Sequence, residues 1–305
     1  MKPTTLQEDL TWAFKQLPYR IKFYGRAAFH TTAPDRTCPF CSSPTSKLIA
    51  HKHVVLELFE CQQCGLRFRV PKETPDEAEQ FYQADYTYGF TTDCPDTATL
   101  AHLIATGFHD SEKDFSVYLD VLRAANVHPG QSLFDFGASW GYGSWQFAHA
   151  GYRVYAYEVS QPRARYAGEK LGCTMLATAT GVPEKVDCFF SAHVIEHLPD
   201  PSLLWQTALE VLKPGGTLVL FMPNGDSDYQ RENPGHYAQL WGRVHPLLLS
   251  HRALDSMAAR YGFQGQAYSS SVSQNGHYDL SQIRAGQTTR LQGDELLYVA
   301  HLAAA

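Results

Sequence analysis

Residues 133–143 read LFDFGASWGYG: an apolar strand ending on Asp135 and Phe136, a turn built on Gly137 and Gly141, then the start of a helix. A strand, a glycine turn and a helix in that order open the ligand crevice of a doubly wound α/β sheet. A dinucleotide fingerprint places three glycines at the spacing G-x-G-x-x-G. Here Gly137 is kept, and Ser139 and Tyr142 stand in the second and third places. Asp135 would also repel a pyrophosphate, whereas its charge suits a ligand carrying an ammonium group.

Outward from this turn the pattern alternates. Upstream, Phe115, Tyr118, Leu119 and Leu122 recur at helical spacing until Pro129-Gly130 stop them. Downstream come YGSWQFAHA as helix, YRVYAYEV as strand, a helix opened by Ser160, a short strand near CTML, VDCFFSA as strand, PSLLWQTALEVL as helix and GTLVLFM as strand. Strands alternating with helices of this length predict βαβ units and a parallel sheet. A tail helix, HRALDSMAARYGF, precedes QGQAYSS and ELLYVAHLA, two strands expected to form an antiparallel edge.

The 305 residues leave room for a second unit. Hydrophobic residues at 44% and charged residues at 18% describe a globular chain. A net charge of −6 counts against a phosphate backbone as partner. No apolar run reaches the roughly 18 residues of a membrane span, and the start lacks the apolar stretch of a signal peptide, so a cytoplasmic location is expected. In such a compartment, four of the seven cysteines in two C-x-x-C pairs point to a metal. Cys38, Cys41, Cys61 and Cys64, with nineteen residues between the pairs, have the spacing of a closed four-thiolate site for structural zinc. The intervening KLIAHKHVVLELFE predicts a hairpin, and Gly65 supplies the second turn. These readings divide the chain into a helical segment over 1–37, a zinc ribbon over 38–72, an aromatic connector over 73–110 and an α/β domain over 111–305.

Glu158 ends the second strand about 20 residues beyond the glycine turn, where a carboxylate can accept from both ribose hydroxyls. DFGASWG, YEVS, DCFFSAHVIEHLPDP and LVLFMPN resemble the successive motifs of class I methyltransferases that use S-adenosylmethionine (SAM), over residues 111–305. The resemblance implies a Rossmann-like sheet of seven strands with one antiparallel edge strand. It also implies that Asp135, Gly137 and Gly141 hold the methionine end of SAM and Glu158 its ribose. Two departures stand out: Ser139 replaces a common glycine, and Thr178 or Thr180 takes the place of an acidic residue after the third strand. The cysteine ribbon followed by Phe81-Tyr82 and Tyr86 is similar to bacterial methyltransferases acting on sugars, glycans or natural products, which implies a small-molecule acceptor, an oxygen above nitrogen or carbon.

Methyl transfer asks the protein to orient the acceptor, exclude water and remove a proton. His193, Glu196, His197 and His245 are the candidates. Other methyltransferases with E-x-x-E-H here and a later histidine bind a divalent metal that grips the acceptor; in this chain His193 replaces the first glutamate. The same H-x-x-E-H spacing occurs in a peptidase class, but that chemistry needs both histidines on one helix face, and Pro199 closes the segment two residues on. The aromatic-rich stretch 224–245 is expected to be an ordered cap that selects substrate, with Tyr82, Tyr86, Tyr88 and Phe90 as an opposite wall. The competing readings are an RNA methyltransferase that docks through its ribbon, and a non-catalytic assembly module.

Overall fold

In chain order the elements are β1 (Ser46–Lys52), β2 (Leu56–Cys61), β3 (Arg67–Val70), α1 (Thr97–Ala105), α2 (Ser116–Ala124), β4 (Ser132–Phe136), α3 (Tyr142–His149), β5 (Arg153–Tyr157) and α4 (Gln161–Leu171). There follow β6 (Val186–Ala192), a 3-10 turn over Ile195–His197, α5 (Ser202–Val211), β7 (Leu212–Pro223), α6 (Ser227–Glu232) and α7 (Pro234–Tyr237). The chain then forms β8 (Leu247–Leu248), α8 (His251–Arg260), β9 (Phe263–Ser269), α9 (Leu280–Ala285) and β10 (Glu295–Leu302). The computed structural model describes residues 21, 23–25, 27, 35–74, 76–77, 93–270, 278–287 and 290–304. Most of the expected segment 1–37, and Phe81, Tyr82, Tyr86, Tyr88 and Phe90, lie outside these.

The larger sheet has the order β5-β4-β6-β7-β10-β9. The strands from β5 to β7 run parallel, and β10 is antiparallel to both β7 and β9. Two expectations are corrected. The sheet has six strands among the described residues, because the segment near CTML touches β5 through a single bridge, Ala156 to Met175, before the chain turns away at Thr178. The two tail strands do form an antiparallel pair at the edge, but the antiparallel strand is not itself the rim: β10 inserts between β7 and β9, and β9 takes the rim.

The smaller sheet, β1-β2-β3-β8, is antiparallel and takes its last strand from far along the chain. The sequence of β3, RFRV, explains the joint through its alternation. Phe68 and Val70 enter the main core with Phe59, Leu204, Trp205 and Leu254. The arginines on the other face clamp the segment after β7. Arg67, 4% exposed, donates to Glu60, to the Gly225 carbonyl and to the side chains of Gln230, Ser227 and Tyr237. Arg69 donates to the carbonyls of Gly242 and Arg243 and pairs with Glu73. Tyr229, Tyr237 and Trp241 pack beside them on Leu56, Leu58 and Leu248.

Candidate functional site

A cavity of about 850 Å³ opens beyond the C-terminal ends of β4, β5 and β6. One end is made by the glycine turn. Asp135 is buried there, accepting from the Ser144 hydroxyl at 2.6 Å. Burial, and then the neighbouring charge of Glu158, push its carboxyl up to about 7 against the Ser144 hydrogen bond. Glu158 accepts from the backbone N–H of Ser139 at 2.9 Å and of Ser160 at 2.8 Å, and burial raises its pKa. The carboxylate thereby ties the turn to α4. Gly137 also lines the cavity, with φ +87°, and a Cβ there would stand 2.3 Å from Val194. Gly141 does not line it: its φ of +88° and a Cβ position 2.7 Å from Ala167 make it the glycine that seats α3 on α4. Thr178 and Thr180 are likewise absent from the lining, whereas Tyr157 and Arg163 line the cavity together with Glu158.

The other end is built by the chain leaving β6. His193 adopts φ +55°, which breaks the strand and starts the short 3-10 turn, so Glu196 comes round to face it. His193 Nε2 donates to Glu295 at 2.7 Å, and Nδ1 lies 3.4 Å from Glu196. Burial alone would lower its pKa, but the two carboxylates outweigh burial and raise it to about 10. Both ring nitrogens of His193 thus face a carboxylate, Nε2 that of Glu295 and Nδ1 that of Glu196. Glu196 is fully buried. Burial would raise its pKa, but His193, followed by His197 and His245, holds the carboxyl down at about 2. His197 and His245 stand beside it with ring centroids 4.6 Å apart.

Sequence reasoning missed Glu295, Tyr118 and Tyr278. Glu295 begins β10 and accepts from Tyr278 at 2.6 Å as well as from His193, with the Tyr118 hydroxyl 3.5 Å away. No local motif marks it, since its partners are 17, 102 and 177 residues distant. Of the expected cap over 224–245, only His245 lines the cavity. The aromatics turn the other way because Leu56 and Leu58 of β2 and Leu248 of β8 offer them an apolar face beside Arg67 of β3.

The four ribbon cysteines form a second centre. Cys38 and Cys64 sulfurs are 3.6 Å apart and those of Cys41 and Cys61 3.5 Å, with all four within 4.8 Å of one another. A tetrahedron with metal–sulfur bonds of about 2.3 Å has edges of about 3.8 Å, so these thiols fit a zinc ion. Both knuckles need a left-handed residue after the second cysteine, supplied by Ser42 (φ +58°) and Gly65 (φ +79°). At Gly65 a side chain would also meet Arg252.

Residues 134–220 match the family model described as a methyltransferase domain. An uncharacterized methyltransferase of Mycobacterium leprae is 36% identical over 98 residues, which cover 30% of this chain and 36% of that protein. One from Mycobacterium tuberculosis is 33% identical over 110 residues, or 33% of this chain and 43% of its own. The chain thus spans less than half the length of these relatives. Among solved structures, an S-adenosylmethionine-dependent methyltransferase from Clostridium acetobutylicum aligns with a TM-score of 0.46 at 9% identity, covering 68% of this chain and 97% of its own. The plantazolicin methyltransferase BamL aligns at 0.48 and 13% identity, covering 74% and 94%.

Proposed function

We propose that the chain is a SAM-dependent methyltransferase acting on an oxygen of a small molecule, a sugar or natural product, in the cytoplasm. The observation that carries this reading is one cavity lined by Asp135, Gly137 and Glu158 at one end and by His193, Glu196, His197 and Glu295 at the other. The methyltransferase-domain match over 134–220 supports it. In this reading Asp135 takes the ammonium of the methionine end and Glu158 the ribose hydroxyls. SAM supplies an electrophilic methyl group on a sulfonium. The chain supplies orientation and exclusion of water, with His193 held by Glu196 and Glu295 as a fixed cation on the acceptor wall. The four cysteines would hold a structural zinc ion that fixes the ribbon against β8.

Calorimetric titration with SAM, beside Asp135→Ala and Glu158→Ala variants shown to be folded, tests the reading. Binding at or below about 100 μM, equivalent to about −5.5 kcal/mol, and lost in both variants, is expected. No binding by folded wild type would overturn it.

A further inference from the structure

We infer that Glu196, His197 and His245 form a divalent-cation site on the cavity wall, and that the cation holds the acceptor through two neighbouring oxygens. The acceptor clause rests on the methyl-transfer reading; the cation site does not.

Glu196 carries the inference. Its side chain is 1% exposed, and neither carboxylate oxygen has a hydrogen-bond partner. The nearest nitrogens, His193 Nδ1 at 3.4 Å and His197 Nε2 at 3.8 Å, lie outside hydrogen-bonding geometry. His193 offsets the charge from one side but leaves both oxygens without a hydrogen bond, and such a buried carboxylate is costly unless a further ligand coordinates it.

The two histidines are oriented for that task. His197 Nδ1 lies 2.8 Å from the Val244 carbonyl and His245 Nδ1 2.7 Å from the Leu240 carbonyl. A carbonyl only accepts, so both protons sit on Nδ1 and both lone pairs on Nε2. A backbone carbonyl holding the remote nitrogen is how metal-binding imidazoles are commonly fixed. One potential ligand atom from each of Glu196, His197 and His245 falls within 4.8 Å of the other two. The pieces come from distant places, the turn after β6 and the loop entering β8, so their convergence is a product of the fold.

Two imidazoles and a carboxylate suit a cation such as Mn²⁺, Fe²⁺, Co²⁺ or Zn²⁺. Three protein ligands leave coordination positions that face the cavity, room for a bidentate pair of oxygens such as a vicinal diol. A cation there would also lower the pKa of a bound hydroxyl. His193 stays outside the ligand set, because its nitrogens face Glu196 and Glu295.

The test is a Mn²⁺ titration of the full, zinc-loaded chain, followed by electron paramagnetic resonance and calorimetry, with and without SAM. Wild type should take up one Mn²⁺ per chain. Glu196→Gln and His245→Ala should each weaken uptake at least tenfold while still melting cooperatively and binding SAM. Addition of 3,4-dihydroxybenzoate should change the Mn²⁺ spectrum, and 4-hydroxybenzoate should not. Absence of Mn²⁺ uptake under either condition, or wild-type uptake by both variants, would overturn the cation site and leave SAM binding to stand alone. Mn²⁺ uptake with no SAM binding would keep the site and remove methyl transfer. Identical spectra with both benzoates would overturn the bidentate acceptor.

Discussion

Under the proposed SAM-binding reading, Asp135 is the residue at which the pH of the surroundings should be felt in cofactor binding. Its carboxyl is pushed up to about 7, chiefly by burial, and only the ionised form attracts an ammonium. The affinity for SAM should therefore fall about tenfold per pH unit below that value and level off above it. The same shift acts on the empty protein with a defined sign. The folded chain binds this proton more tightly than the unfolded chain does, so the stability contributed by Asp135 is fully present at low pH. It is lost as pH rises from about 4 through about 7. Calorimetry at several pH values, beside Asp135→Asn, checks both; a SAM affinity flat from pH 5.5 to 8.5 would refute the assignment. Gly137 gives a second test at this scale. Gly137→Ala places a methyl group 2.3 Å from Val194 on a backbone at φ +87°, and the strained φ alone costs about 1–2 kcal/mol. A lower melting temperature and weaker SAM binding are expected together, because the turn must move to relieve the clash.

At the scale of elements, the sequence displayed what is periodic and local. VDCFFSA is β6 residue for residue, and the hairpin between the cysteine pairs appears as β1 and β2, turning at His53 and Val54 with positive φ. What it did not display are pairings set by tertiary competition. CTML has strand composition but finds one bridge partner, and β10 is drawn inward by backbone partners on both sides, an outcome that no local pattern encodes. The site divides in the same way. Asp135 and Glu158 stand at strand ends that the α/β alternation already locates, whereas Glu295 reaches His193 only through the β7–β10 pairing. The aromatics over 229–241 were legible as ordered but not as to direction, since that depends on β3. Its alternation supplies the test. Arg67 gives one guanidinium fork to five acceptors from three segments, a geometry that a lysine point charge cannot match. Arg67→Ala should destabilise by about 3–5 kcal/mol, as removal of a buried ion partner does, and Arg67→Lys should recover only part of this in denaturant melts.

For the molecule as a whole, the ribbon and the α/β sheet share structure and should not behave as separable modules. Phe40, Phe59 and Phe68 lie in the same core cluster as Trp205, Leu254 and Tyr298. Arg260 donates to the Phe40 carbonyl in the first knuckle and Arg252 to that of Gln62 in the second. The joint bears on the cavity because β8, the fourth strand of the ribbon sheet, begins two residues after His245. Disturbing the cysteine cluster should loosen β2 and β3, then β8, and through it the loop that fixes His245. Asp135 and Glu158 hang from β4 and β5 in the other sheet and are spared. Cys38→Ser should therefore lower the melting temperature in one cooperative transition and weaken Mn²⁺ uptake, with SAM affinity changed less than threefold. Two separate transitions, with Mn²⁺ uptake intact, would show that the cysteine-bearing sheet is an appendage with no hold on the His245 end of the cavity. A single transition with both ligands lost would place the coupling through the shared core instead of through β8. The relative loss of the two ligands thus measures which connection carries the ribbon's influence.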